Sequence, residues 1–211
     1  MKNDLTFYLP TGAPRMDAAA EFLRRQGCGV VRDGAALYDR SVPIPGKGPI
    51  SDRDIVYQND EIFLSENADI TAEAAIYLAM GDLNRTIAGS ECLILGYGRI
   101  GKALAKKLIG LNANVTVQAR SPIARAAAAD LGCAAQEIGT GGRWDVIFNT
   151  VPAPVFAPPG GALCLDLAST PGFLPPEAGR SARGLPGKYA PASAGEALGR
   201  CVHRLLKEGD A

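Results

Sequence analysis

The sequence predicts an α/β chain in which a small α/β lobe precedes a doubly wound parallel sheet, and three observations predict it. Apolar runs that read as strands recur at 91–95, 114–119, 145–151 and 162–168. Helical periodicity fills the intervals after the first two of them. The first run ends in a glycine turn, Gly96-Tyr97-Gly98-Arg99-Ile100-Gly101, with a helical pattern following at once. Strands that alternate with helices in this way favour a parallel sheet.

The first lobe reads less regularly. Residues 5–9, LTFYL, read as a strand. Pro14 opens a helix that runs to 26, with Met16, Ala19, Ala20 and Leu23 on one stripe and Gly27 as its stop. A short strand is expected at 29–32, and the Pro- and Gly-rich stretch 41–50 reads as extended or looped. Residues 55–58 and 61–64 read as two short strands around a turn at Asn59-Asp60. A helix over 71–83 follows, with Asp69 or Thr71 as its cap. A lobe of this size struggles to stand alone.

From residue 87 the pattern becomes regular. Ile100, Leu104, Leu108 and Leu111 make the apolar face of the helix after the glycines. Ser121 caps the next helix, Pro122 takes its first position and Gly132 closes it. Runs 145–151, DVIFNTV, and 162–168, ALCLDLA, read as buried parallel strands. The last helix spans 194–208, with Ser193 and Glu196 as a capping box and Leu198, Cys201, Val202 and Leu205 facing inward.

Composition sets bounds on function. Of the 211 residues, 47% are apolar, which is enough for a core. Lys plus Arg and Asp plus Glu both total 22, so no basic field argues for nucleic acid. The start, MKNDLTFYLP, has too short an apolar run for a signal peptide, and no later run suits a membrane span. Cys28, Cys92, Cys133, Cys164 and Cys201 are scattered, without a C-x-x-C pair, and read as small buried thiols rather than a disulfide framework or zinc site. A reducing, cytoplasmic setting fits, and no metal is expected.

The glycine turn carries the chemistry. Gly96 would permit the tight turn, Gly98 would let a pyrophosphate approach the backbone, and Gly101 would let helix and strand pack closely. The N–H groups and positive dipole end of the new helix then face the phosphates, with Tyr97, Arg99 and Ile100 beside them. This is the arrangement of a Rossmann-type dinucleotide-binding domain. At the end of the second strand, where an NAD enzyme usually has Asp or Glu, the chain reads Gln118-Ala119-Arg120-Ser121. Arg120 could pair with a 2′-phosphate and Ser121 could donate to it, which favours NADP over NAD; the bland alternative is a solvated arginine at a loop edge. Asn149-Thr150-Val151-Pro152 leaves a strand end and would run beside the nicotinamide ribose, or be an ordinary strand closed by proline. Asp166 and Ser169 end the next strand, where they could touch substrate or nicotinamide, or where Asp166 could cap nearby backbone.

Six segments then make a specific match. ITAEAAIYLAM (70–80), LILGYGRIGKALAKKL (93–108), NVTVQARS (114–121), DVIFNTVPAPVF (145–156), DLASTPGF (166–173) and GLPGKYAPASAG (184–195) follow the order found in the dipicolinate synthase A-subunit family, which the chain resembles over about 65–205. That family resembles two-domain dehydrogenases. With a B subunit, its members form the dipicolinate of bacterial spores from a dihydrodipicolinate-type precursor. A nicotinamide cofactor is implied as electron acceptor. The glycines and Arg99 match the family's G-x-G-R-x-G; Asn149, Thr150 and Pro152 its N-T-x-P; Asp166 to Ser169 its D-L-A-S; Gly184 to Pro191 its G-L-P-G-K-x-A-P; Thr71, Ala72 and Glu73 its T-A-E. The chain departs from the family in a shorter first lobe, in Gly12-Ala13-Pro14-Arg15 where the family has G-D-x-R, and in Phe173 where it has a second glycine.

The resemblance implies oxidation of a partly reduced ring, and a dicarboxylate substrate needs cationic or N–H partners. Arg15, Lys188 and the N–H groups of a helix starting at Thr71 are the candidates for binding it, with Asp166, Ser169 and Lys188 as catalytic candidates and Tyr189 as another base. The sole histidine, His203, sits within the last helix and reads as a packing residue. The resulting division is a substrate-side lobe over 1–68, a linking helix over 69–84, the Rossmann domain over 85–190 and a last helix over 191–211 that crosses back to the first lobe. The nicotinamide is expected in the cleft between the lobes, and a homo-oligomer is expected because so small a lobe leans on a neighbour. Two other readings stand beside this one: a cofactor-binding regulatory or partner-binding protein without catalysis, and a reductase of another small carboxylate.

Overall fold

A computed structural model of the chain describes residues 6–32, 44–46 and 54–209. In chain order the elements are β1 (Thr6–Tyr8), α1 (Pro14–Arg25), β2 (Gly29–Val31), β3 (Ile44–Gly46), β4 (Asp54–Val56), α2 (Glu61–Asp82), β5 (Glu91–Leu95), α3 (Arg99–Gly110), β6 (Asn114–Gln118), α4 (Pro122–Asp130), β7 (Ala134–Gln136), β8 (Val146–Asn149), β9 (Leu163–Asp166), β10 (Arg180–Ser181), α5 (Leu185–Tyr189) and α6 (Pro191–Gly209). They fall into two compact units, one drawn from 1–70 and 186–211, the other from 71–185.

The first unit holds two parallel strand pairs, β1 with β2 and β3 with β4. Its core gathers Phe7 and Leu9, the buried stripe Ala19, Ala20 and Leu23 of α1, Phe63, and Leu198, Cys201 and Val202 of α6. Helices α1 and α6 approach closely because α6 is bare at two positions one turn apart. A Cβ on Gly195 would lie 2.5 Å from the Ala18 Cβ and from the Arg15 carbonyl oxygen, and one on Gly199 would lie 2.6 Å from the Phe22 ring.

Three expectations change here. Residues 61–64 are not a strand: α2 begins at Glu61, because Asp60 accepts the Phe63 N–H at 2.8 Å and so caps it. Asp69 and Thr71 therefore lie inside a helix already under way and do not start it. Ser193 and Glu196 form no capping box, since α6 starts earlier, at Pro191, and Glu196 instead accepts from Arg25 at 2.9 Å. The 41–50 stretch contributes β3; its other residues, like Leu5 of the first expected strand, lie outside the described ones.

The second unit is a six-stranded, wholly parallel sheet in the order β7-β6-β5-β8-β9-β10. Counted from β5, that is 3-2-1-4-5-6, the doubly wound order whose ligand crevice opens outside the carboxyl ends of the strands where the winding reverses. Alternate residues of the central strands feed two cores. Cys92, Ile94, Val146, Phe148 and Leu165 join residues of α2, α3 and α4. Leu93, Leu95, Ile147 and Cys164 join Phe156 and Phe173. No helix joins β8 to β9; Phe156 and Phe173 pair in an isolated bridge and close that face from loops. Phe173 is fully buried there, and its ring occupies the space a side chain on Gly179 would need. The departure at position 173 is thus a core residue. The short strands β7 and β10 and the helix α5 go beyond the sequence reading.

All five cysteines are buried and free. Burial pushes the Cys92 and Cys201 thiols up to about 12 and that of Cys164 up to about 11. No helix among the described residues is long and apolar enough to cross a membrane.

At the amino end of the sheet, Asp145 accepts the Glu91 N–H at 2.8 Å and Arg85 Nη1 at 2.7 Å, tying the start of β5 to the start of β8. The Glu91 N–H, aided by the Arg85 guanidinium, holds this carboxyl below the usual range against the opposing effect of burial. Its stabilisation is therefore complete above the unfolded value of about 3.9 and is lost as pH falls through the lower native value. Asp145→Asn is expected to cost about 1 kcal/mol at pH 7 and almost nothing once both states are protonated, read from denaturation curves across pH.

Candidate functional site

Pairing register places the site. Leu95 is level with Gln118 on one side and with Asn149 on the other, and Asn149 is level with Asp166. The residues that follow, Gly96, Ala119, Thr150 and Leu167, therefore leave the sheet along one edge. Between the first three of these exits lies a cavity of about 610 Å³.

The glycine turn forms its floor. Gly96 has φ +89°, and a side chain on it would lie 2.6 Å from Thr150 Oγ1. Gly98 caps α3, and a Cβ there would meet nothing within 4 Å, so the backbone is open to close approach. A side chain on Gly101 would run into the Gly96 carbonyl oxygen, so the helix can sit this close to the turn only with glycine there. The first turn of α3 carries no acidic residue, and its positive dipole end favours an anion. These features fit the pyrophosphate of a dinucleotide.

Gly96, Tyr97 and Gly98 line the cavity together with Ala119, Arg120 and Ser121 from the end of β6 and Thr150, Val151 and Pro152 from the end of β8. Arg99, Ile100, Gly101 and Asn149 do not line it. Arg120 is exposed, and Ser121 Oγ accepts the Ala124 N–H at 3.4 Å, capping α4. Sequence reasoning missed Ala124 and Ile138 in the wall and two side chains behind it. Gln118 is fully buried; its amide donates to Thr140 O at 2.8 Å and accepts from Gly139 N at 3.0 Å, holding the turn that carries Ile138. Arg125 Nη1 donates to the carbonyl oxygens of Ala119 at 2.8 Å and Arg120 at 2.9 Å. A fully buried glutamine at the end of β6 is the one signal that could have pointed to its own role.

Asp166 is a structural acceptor. It is 3% exposed, and its two oxygens accept from Asn149 Nδ2 at 2.8 Å, Ala168 N at 3.2 Å and Gly172 N at 3.0 Å. Asn149 in turn accepts from Val151 N at 3.1 Å and donates to Val151 O at 3.0 Å, and Thr150 Oγ1 donates to Leu95 O at 2.7 Å. Ser169 is exposed on the loop that this lattice holds.

The substrate-side candidates fare differently. Thr71 is 7% exposed in the middle of α2, so no free helix start exists there. Arg15 braces its own unit: it donates to Ala194 O and Asn67 Oδ1, each at 3.3 Å, and lies 5.3 Å over the Phe63 ring. Burial lowers its pKa. Lys188 is exposed in α5, and so is Tyr189 beside it. His203 is partly buried with Nε2 enclosed and unpartnered, and burial together with Lys207 lowers its pKa, which keeps it neutral in its packing role.

Residues 71–154 match the family model described as D-isomer specific 2-hydroxyacid dehydrogenase, NAD binding domain. The chain is 32% identical over 170 residues to the dipicolinate synthase A subunit of Bacillus subtilis (strain 168), an alignment that takes in 72% of this chain. It spans 57% of the length of that relative. Among solved structures, the dipicolinate synthase A subunit from Bacillus halodurans matches with TM-score 0.80 and 22% identity over 98% of this chain and 99% of that one. The corresponding polypeptide of dipicolinate synthase from Bacillus subtilis matches with TM-score 0.80 and 21% identity, over 99% and 97%. A transhydrogenase from Sinorhizobium meliloti reaches 0.60 at 14% identity, over 96% and 92%. The chain carries a Rossmann-type NAD(P)-binding fold and is homologous to the dipicolinate synthase A subunit.

Asp166→Ala strips three N–H donors of their acceptor at once. It is expected to lower the unfolding free energy by about 3 kcal/mol, measured by chemical denaturation. A variant as stable as the parent would return Asp166 to a part in the chemistry.

Proposed function

We propose that this chain is an NADP-dependent oxidoreductase that converts a dihydrodipicolinate-type precursor to dipicolinate, working with a B-type subunit. The observation that carries this reading is the cavity in which a glycine turn meets Arg120 and Ser121 with no carboxylate at the end of β6. Likeness to the dipicolinate synthase A subunit supplies the substrate class.

A bound nicotinamide would supply the hydride acceptor; the ring would lose a hydride to it and a proton to water, and aromatisation would make the exchange downhill. The chain's share is binding and orientation. The open backbone at Gly98 and the start of α3 take the pyrophosphate. Arg120 and Ser121 take the 2′-phosphate. The exit Thr150-Val151-Pro152, held by Asn149 and Thr150, would hold the nicotinamide ribose. Lys188, exposed in α5, is the cation offered to a substrate carboxylate.

One observation favours a second reading, in which the chain holds cofactor as a non-catalytic subunit. The carboxylate best placed by sequence to act as a base, Asp166, is buried and accepts three N–H donors.

Binding and turnover separate the two readings. NADP is expected to bind more tightly than NAD, and Arg120→Ala to weaken NADP about tenfold while leaving NAD unchanged, by fluorescence titration. Formation of NADPH from the dihydrodipicolinate-type precursor, with and without the B-type subunit, is expected under the first reading. Tight cofactor binding with no turnover in either case establishes the second.

A further inference from the structure

We infer that Arg125 and Glu137 act as an opposed pair that sets how strongly the site prefers a 2′-phosphate: Arg125 raises the preference and Glu137 restrains it. The inference rests on the NADP reading above and names the residues that tune it.

The exit of β6 presents two problems to a phosphate. The carbonyl oxygens of Ala119 and Arg120 carry partial negative charge beside Arg120 and Ser121, where the phosphate would sit, and the loop must hold its shape to aim those two residues. Arg125 answers both. It stands one turn into α4, its backbone N–H bonded to Ser121 O at 3.1 Å. Its Nη1 takes the two carbonyls, at 2.8 and 2.9 Å. Its Nη2 pairs with Glu137 Oε1 at 3.1 Å. A planar guanidinium can reach all three acceptors from one position, which a single ammonium cannot.

The pair is unequal in its surroundings. The Arg125 side chain is 20% exposed and that of Glu137 is 77% exposed. The arginine's field is therefore less screened by water and acts on the loop from within, while the glutamate sits at the rim and withdraws part of that charge. Arg125 is a positioning residue and a source of field; contact with the phosphate belongs to Arg120 and Ser121. The turn that bears Glu137 does not depend on the ion pair, because buried Gln118 grips it separately through Gly139 N and Thr140 O. Removing Glu137's charge should leave that turn in place.

This gives a test in which bracing and charge predict different results. Arg125→Ala and Glu137→Gln break the same ion pair. If the pair only braces the loop, Arg125→Ala lowers selectivity by letting Arg120 and Ser121 drift, and Glu137→Gln lowers it or leaves it unmoved. If it acts through charge, they move selectivity in opposite directions. The experiment measures binding of 2′,5′-ADP and 5′-AMP to the full chain by calorimetry, with a melting curve for every variant. The ratio of the two affinities is expected to fall about tenfold in Arg125→Ala, about threefold in Arg125→Lys, which keeps charge but loses the fork, and to rise about threefold in Glu137→Gln. The rise is expected to fade in about 0.5 M salt. A ratio unchanged in a folded Arg125→Ala chain, or unchanged or lowered in Glu137→Gln, overturns the inference while leaving the NADP reading intact. A parent chain that binds 2′,5′-ADP no better than 5′-AMP overturns both.

Discussion

A carboxylate buried at the end of a parallel sheet must be met by N–H donors, and at Asp166 this requirement shapes the whole carboxyl edge. Asn149 stands level with it on the neighbouring strand and supplies one donor. The loop after β9 must then fold back so that Ala168 and Gly172 can supply the others. Having turned toward Asp166, Asn149 uses its remaining capacity on Val151, which fixes the exit of β8. That exit walls the cavity beside the glycine turn. A single buried carboxyl group therefore orders two loops, and the shape of the cavity depends on it. The arrangement follows from the cost of burying polar oxygens without donors, which exceeds the cost of bending loops to satisfy them.

The central sheet is legible in the sequence because its strands are covered on both faces and so read as unbroken apolar runs. The glycine turn is legible because its three glycines answer purely local needs: a positive φ at Gly96, open backbone at Gly98 and contact with the Gly96 carbonyl at Gly101. Residues whose task depends on distant partners are not legible. Nothing near Gln118 announces Gly139 and Thr140, and nothing near Arg125 announces Glu137. Asp166 looks chemical for the same reason: a carboxylate at a strand end has one meaning in solvent and another when three donors surround it. The start of α2 is hidden because short apolar stretches fit a strand as well as a helix, and the decisive residue, Asp60, lies just ahead of the stretch.

Each unit solves its packing with a different device. In the second, loop residues Phe156 and Phe173 take the place of a helix on one sheet face, so bulk at position 173 compensates for a missing layer. In the first, the absence of side chains at Gly195 and Gly199 lets α6 lie against α1, and Arg15 then crosses from α1 to the backbone of α6 and to Asn67 of α2. The arginine that sequence offered to a substrate is thus a strut among three helices.

The cysteines give these units a property of a different kind. Cys28 and Cys201 belong to the core of the first unit, and Cys92, Cys133 and Cys164 to cores of the second. Enclosed and held above the ordinary thiol range, they stay silent toward alkylating reagents while the fold is closed. A thiol reacts only when its surroundings open to water, so the pace of its labelling counts those openings. The chain therefore carries a set of internal clocks, distributed between its two units, from which the breathing of each can be timed separately without adding a probe.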